Sequence, residues 1–311
     1  MRPAPATAAR VPKRGNRGRF NKIEARYGYA FIGIWLLGFL IFQLWPLISV
    51  FYHSFTRYDV FSPPKWIGLS NYERMFTGDR LMWKSLWNTT YIVLFSVPIR
   101  LAISLGIAIL LNQRLRAVGV FRAIFYLPMM VPVAATAVLF AWLLNAQIGV
   151  FNYFLNSIGL SSVNWLISEE WSKPSIILVT MWRIGEPVVL FLAGLQLIPD
   201  ELYGASQIDG AGWWQRFRHV TLPLLTPTTF MLIVLESIET FQSFVWSFAM
   251  TNGGPLNSSL VYVQYIYIRA FRDFQIGYAS ALSVLLFVVV LLVTLVLFRF
   301  SKFWVHSEHQ A

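Results

Sequence analysis

Residues 198–225 read IPDELYGASQIDGAGWWQRFRHVTLPLL, a polar and basic segment punctuated by prolines and glycines and set between two long apolar runs. Pro199 stops the run before it, DELYGASQI favours a short helix, and Asp209 followed by Gly210 offers an N-cap and a flexible turn. WWQRFRHV then presents aromatic and basic side chains before Pro223 opens the next apolar run. A bare connector between membrane helices has no need of this order. The stretch is therefore either an interfacial connector or a docking surface for a cytosolic partner, and its tryptophans and arginines, residues enriched at interface anchors, favour docking.

The composition around it is that of a membrane protein. Of 311 residues 57% are hydrophobic and only 13% charged, and the mean hydropathy is +0.57. A net charge of +11 would suggest nucleic acid in a soluble chain, but here it lies mostly in short loops and the N-terminal tail, so no nucleic-acid partner is expected. The absence of cysteine excludes disulfides, thiolate metal sites and thiol catalysis. The histidines at 53, 219, 306 and 309 lack metal-ligand spacing on one helix, so no metal site is expected either.

Six runs are long and apolar enough to cross a bilayer, approximately 27–51, 89–111, 123–144, 175–198, 224–250 and 278–298. Fifteen Lys and Arg fall in the tail and in the loops on its side, against eight on the other side, which makes both termini and the 199–223 loop cytoplasmic. Residues 1–26 form a basic cytoplasmic tail, and its Pro, Ala and Gly alternating with single basic residues suit a disordered tether on membrane lipid better than a DNA-binding arm. The first run spans some 25 residues with no small-x-small cleavage site after it, so it reads as an uncleaved helix rather than a signal peptide. Residues 27–311 make one six-helix transmembrane domain.

Five ionisable residues lie inside these runs: Arg100, Arg183, Glu186, Glu236 and Glu239. Each isolated charge in a bilayer costs about 2.5–3.5 kcal/mol on insertion scales, so all five must face a polar interior. Ser96, Arg100 and Ser104 share one helical face, and Glu236, Thr240, Ser243 and Ser247 form a second polar stripe. Arg183 and Glu186, three apart, are placed to pair beside Pro187. Such charges either neutralise one another to register helices or line a transport path.

No GxxxxGK[ST] phosphate loop, nucleophile elbow or paired exposed carboxylates occur, so the chain is not expected to be an enzyme and any ATP-derived energy must come from a partner. A proton-driven secondary transporter of a polar solute, with Glu186, Glu236 and Glu239 as relay, is the alternative, although no internal repeat supports it; a channel would leave the 199–223 loop without a purpose.

The 198–225 stretch closely resembles the cytoplasmic signature loop of membrane permeases of binding-protein-dependent ABC importers, in the carbohydrate-uptake branch typified by maltose and glycerol-3-phosphate permeases, first-permease type. Gly204, Ala205 and Ser206 stand at the family's Glu-Ala-Ala positions, followed by Asp209, Gly210 and Ala211 and then Val220, Leu222 and Pro223. The departure is Gly204, where the family carries the glutamate that helps anchor the loop; Glu201 is out of register. WIGLSNYERMF, LLNQRLRAVGVFRAIFYLP and MTNGGPLNSSLVYVQYIYIRAF extend the likeness over nearly the whole chain.

The resemblance implies an all-α, six-helix type I importer permease fold in a bacterial or archaeal plasma membrane, with a coupling helix between helices four and five. That helix, with Trp213 and Trp214 beside the signature residues, would dock into an ATPase subunit. It implies a second permease, two copies of the ATPase, and an external solute-binding protein facing Gly253, Gly254 and Pro255. ATP and Mg would be held by the ATPase and no cofactor by this chain. The family's sugar site lies on the helices flanking the loop, which puts Arg100, Arg183, Glu186, Glu236, Glu239, Thr240 and Ser243 on the expected substrate path.

Overall fold

The computed structural model describes residues 17–113 and 118–305. The short basic loop containing Arg114 and Arg116, most of the basic tail, and His306 and His309 lie outside the described residues. The chain divides into two compact units, 1–52 and 53–311. The first is helical, with α1 (Arg17–Phe39), a π-turn and most of α2 (Trp45–Ser54). It is helical from Arg17 onward, well before the expected start at Tyr27.

The second unit opens with a two-stranded antiparallel ladder, β1 (Thr56–Arg57) against β2 (Lys65–Trp66), a small exception to the all-helical expectation. There follow α3 (Ser70–Thr77), α4 (Arg80–Leu111), α5 (Val118–Met130), α6 (Val133–Leu143) and α7 (Val150–Ser157). Next come α8 (Glu169–Thr180), a 3₁₀ turn over Met181–Arg183, and α9 (Gly185–Gln196). The 199–223 segment contributes α10 (Asp200–Ile208) and α11 (Trp213–Arg216), and α12 (Leu222–Leu224) follows. The chain ends through α13 (Thr226–Gln242), α14 (Val245–Met250), α15 (Tyr262–Tyr267) and α16 (Ile276–Ser301).

Among the described residues three helices are long and apolar enough to span a membrane unbroken: residues 24–54, α4 and α16. Three bent pairs pass the same test together, α5/α6 at 96°, α8/α9 at 51° and α11–α12/α13 at 62°. Prolines explain the bends. Pro132 is extended (ψ 134°) at the first break, Pro187 follows the second, and Pro223 and Pro227 flank the third. The expected fifth span, 224–250, is corrected: α13 stops at Gln242, Ser243 is extended, and α14 is a separate short helix.

α4 is the axis of the packing. Its Val97 and Leu101 bury against Phe191 and Leu195 of α9 and against Leu232 and Phe241 of α13. Where α4 begins, Asp79 caps it through Met82 N at 3.0 Å and accepts hydrogen bonds from the Tyr265 hydroxyl and from the Tyr278 hydroxyl, the latter at 2.5 Å. One carboxylate thus ties the starts of α4 and α16 to α15.

Candidate functional site

The polar stripe of α4 faces inward: Ser96, Arg100 and Ser104 are all buried. Opposite it, α13 carries Glu236, also buried, and Arg100 Nη1 lies 2.7 Å from Glu236 Oε2. The guanidinium N–H is not aimed along that line, and neither Glu236 Oε2 nor Arg100 Nε has a well-directed hydrogen bond, so the contact is an ion pair held by charge and burial. Arg100 Nη2 donates instead to the backbone carbonyl of Arg183 at 2.7 Å.

Arg183 does not pair with Glu186. Its side chain reaches back across the α5/α6 bend, with Nη1 donating to the carbonyls of Val131 (2.7 Å) and Pro128 (3.2 Å) and Nη2 to that of Met129 (3.4 Å). The reason is local backbone: Arg183 closes a 3₁₀ turn while Glu186 belongs to α9, so the two are not one helical turn apart on a continuous helix.

Two adjoining clefts of about 520 and 700 Å³ open beside this ion pair, both lined by Arg100, Thr180, Glu239, Ser243 and Trp246. Thr240 and Ser96 face the first, Arg183 and Gln242 the second. Glu239 is exposed there, and among the described residues no hydrogen bond or ion pair reaches it. Glu186 is exposed on α9 and lines neither cleft. Ser247, read from sequence as the end of the polar stripe, is buried, its hydroxyl lying 2.5 Å from Ser259 O and 2.6 Å from Gln264 Oε1 and sharing its one proton between them. Ser247 and Trp246 of α14 still line the first cleft, which therefore continues past the α13/α14 break.

The 199–223 loop is a helical hairpin. α10 terminates in a Schellman arrangement: Ala211 N donates to Ser206 O at 2.9 Å and Gly210 N to Gln207 O at 3.1 Å, with Gly210 at φ +76°. Asp209 thus ends a helix rather than capping the next one; Gly212 precedes α11, its amide donating to Gln215 Oε1 at 2.7 Å. Gly204 and Ala205 lie on the exposed side of α10, while Ser206 turns back to Tyr203 O. Trp213, Trp214 and Ile208 stand out from the hairpin at 60, 59 and 88% exposure, with Trp213 stacked on Phe217 at 5.8 Å.

The Thr251–Pro255 turn folds inward at Gly253. That residue is buried against Leu260 and held at φ +85°, so the outer edge of this turn is Leu256 and Asn257 rather than Gly253, with Gly254 and Pro255 half-buried. Among the described residues no cluster of metal ligands occurs.

Residues 99–305 match the family described as binding-protein-dependent transport system inner membrane component. The chain belongs to that family. It is accordingly a multi-pass membrane permease, a transport subunit rather than an enzyme. The probable ABC transporter permease protein YesP of Bacillus subtilis (strain 168) is 40% identical over 90% of this chain and 92% of its own length. The trehalose/maltose transport system permease protein MalF of Thermococcus litoralis is 35% identical over 90% of this permease and 95% of its own length. A crystal structure of a bacterial ABC transporter involved in import of the acidic polysaccharide alginate contains a chain that superposes with a TM-score of 0.77 at 25% identity, covering 92% of the permease and 99% of that chain.

The charge distribution of α13 was legible from helical periodicity. The pairing of Arg100 with Glu236, and the capture of the α5/α6 carbonyls by Arg183, join residues far apart in sequence and carry no local signal.

Proposed function

We propose that this permease is one half of the translocation pore of an ATP-driven importer of a sugar, oligosaccharide or related polar carbohydrate. The observation that carries the reading is Glu239, an unpaired carboxylate on a membrane-spanning helix, opening into a cleft with the hydroxyls of Thr180, Thr240 and Ser243. Carboxylates and hydroxyls hydrogen-bond sugar hydroxyls well, and a charge left unpaired within a span is costly unless the site is wet and used. Relatives named for trehalose/maltose and alginate transport support the cargo class.

In this reading six spans cross the plasma membrane with both termini cytoplasmic, each bent pair counting as one. The cargo path runs over Glu239, Thr240 and Ser243, backed by Arg100, Arg183 and Glu236, while Glu186 faces a second permease. Two ATPase copies dock beneath, on the hairpin formed by Gly204, Ala205, Ser206, Asp209, Gly210, Ala211, Trp213 and Trp214, and they alone hold ATP and Mg. A solute-binding protein delivers cargo at the outer face near Gly254 and Pro255. ATP binding draws the docked hairpins together and opens the cleft outward; hydrolysis resets it.

The charge-neutral Glu239→Gln variant tests this. In proteoliposomes with the partner subunits it should lose most uptake while the complex assembles in normal yield. Uptake at the parental rate removes Glu239 from the path, and purification of the parental chain from its native membranes without a second permease or ATPase sinks the importer assignment.

A further inference from the structure

Arg100 and Arg183 share a relation to the prolines that the ion pair alone does not explain. A proline has no N–H, so in a helix the carbonyl four residues before it loses its donor. Pro187 leaves the carbonyl of Arg183 in that condition, and Arg100 Nη2 donates to that carbonyl at 2.7 Å. Pro132 does the same to the carbonyl of Pro128, and Arg183 Nη1 donates to it at 3.2 Å while also serving Val131 at 2.7 Å. Each guanidinium donates to a carbonyl whose residue four positions on is a proline, with no N–H to offer. Arg183 takes part twice, its carbonyl receiving from α4 and its side chain giving to the α5/α6 bend. Inside a bilayer an unmet carbonyl has no water to turn to, so a broken helix persists only where a neighbour supplies the donor.

We propose that Arg100 and Arg183 are positioning residues that splice the proline breaks of α8/α9 and α5/α6 onto α4, so that the chain Glu236–Arg100–Arg183 holds the cleft walls at a fixed bend. Contact with cargo then falls to Glu239, Thr240 and Ser243. This division of labour rests on the cleft being the cargo path; the splice itself does not, because it can be measured without cargo.

The test is a mutational cycle in the full transporter, reconstituted with its second permease, ATPase and binding protein. Arg100→Gln combined with Glu236→Gln removes the splice without stranding a charge. It should lower the maximal uptake rate about tenfold and lower the melting temperature of the complex, the scale of one hydrogen bond to a charged group. Adding Pro187→Ala restores an N–H four residues after Arg183 and should recover at least about a third of the parental rate and most of the melting temperature. Pro132→Ala, the mismatched proline, should recover neither. If the double variant does not assemble, recovery of assembly by Pro187→Ala alone supports the splice. Absence of recovery by Pro187→Ala in rate, melting and assembly, or equal recovery by Pro132→Ala, overturns it.

Discussion

Ile208 offers the cleanest test of the docking hairpin because it supports nothing within its own chain. It lies at the end of α10, a helix with no buried residues, and is 88% exposed. If the hairpin seats in a cleft of an ATPase subunit, the Ile208 side chain leaves water on docking. Truncation to alanine removes three carbons, each worth about 0.8 kcal/mol when buried, or ~2.4 kcal/mol in all. Scaled by the exposed fraction this is about 2 kcal/mol, a loss of roughly 30-fold in affinity. The assay is equilibrium binding of purified ATPase to the immobilised permease pair, with the melting temperature of the pair as control. Ile208→Ala should weaken binding on that scale with melting unchanged. A change below about threefold, under 1 kcal/mol, would mean that Ile208 stays in water and that the hairpin is not the seat of the ATPase. Trp213 is a poorer choice despite its size, because its stacking on Phe217 makes the hairpin itself sensitive to its loss.

Three further outcomes are expected. A Cβ built at Gly204 meets nothing within 4 Å, so Gly204→Glu should fold normally, gain helix propensity of up to about 1 kcal/mol in α10, and tighten ATPase binding in the same assay; weaker binding would place position 204 against an apolar or acidic wall. A Cβ at Gly277 would lie 2.1 Å from the Thr56 carbonyl oxygen, so Gly277→Ala must displace backbone and should cost about 3 kcal/mol or more, read as a fall in melting temperature and yield. Burial opposes the charge on Asp79, but hydrogen bonds from Tyr265, Tyr278 and the Met82 amide, with Arg269 nearby, outweigh it and hold its carboxyl below the usual carboxylate range. Its contribution is therefore fully present above the ordinary carboxylate pKa of about 3.9 and lost as pH falls through the lower folded value, so melting of the complex should drop steeply below about pH 4. Asp79→Asn should flatten that drop, and a parental profile in the variant would assign the acid sensitivity elsewhere.

The parts of this fold written in the sequence are those set by local chemistry. α4 and α16 follow from apolar length, and the α10–α11 hairpin from Pro199, Asp209-Gly210 and Pro223. The break after Gln242 was not legible because Phe244, Val245, Trp246 and Phe248 continue the apolar run and no proline or glycine stands at Ser243. Once the helix stops there, Ser247 no longer follows α13 by periodicity: it bonds within the buried cluster of Ser259 and Gln264 while still lining the first cleft. The i, i+3 spacing of Arg183 and Glu186 misled for a related reason: spacing rules presume a continuous α-helix, and a 3₁₀ turn separates them. The bends show in Pro132 and Pro187, but the arginines that repair them come from other helices, and tertiary pairing of that kind has no periodicity to read. Asp79, Tyr265 and Tyr278 illustrate the same limit at the start of α4.

These separate features meet on one element. α13 begins at the 62° bend that follows the α10–α11 hairpin and runs 17 residues, about 25 Å at 1.5 Å per residue, to the cleft. At its start, Tyr203 of α10 contacts Thr221 hydroxyl to hydroxyl at 3.0 Å, so a displacement of α10 reaches α12 and the bend directly. At its far half sit Glu236, which holds Arg100, and Glu239, which faces the cleft. Moving α13 therefore does two things at once: it shifts the cleft carboxylate, and through Glu236 and Arg100 it pulls on the carbonyl of Arg183, whose side chain holds the α5/α6 bend. If the hairpin docks an ATPase as proposed, a rigid helix between it and the proline-broken helix pairs gives a physical reason for those pairs to be bent. Straight helices would transmit the same push only by tilting as whole bodies, whereas proline breaks held by side-chain donors leave hinges at the depth where the cleft has to open and close.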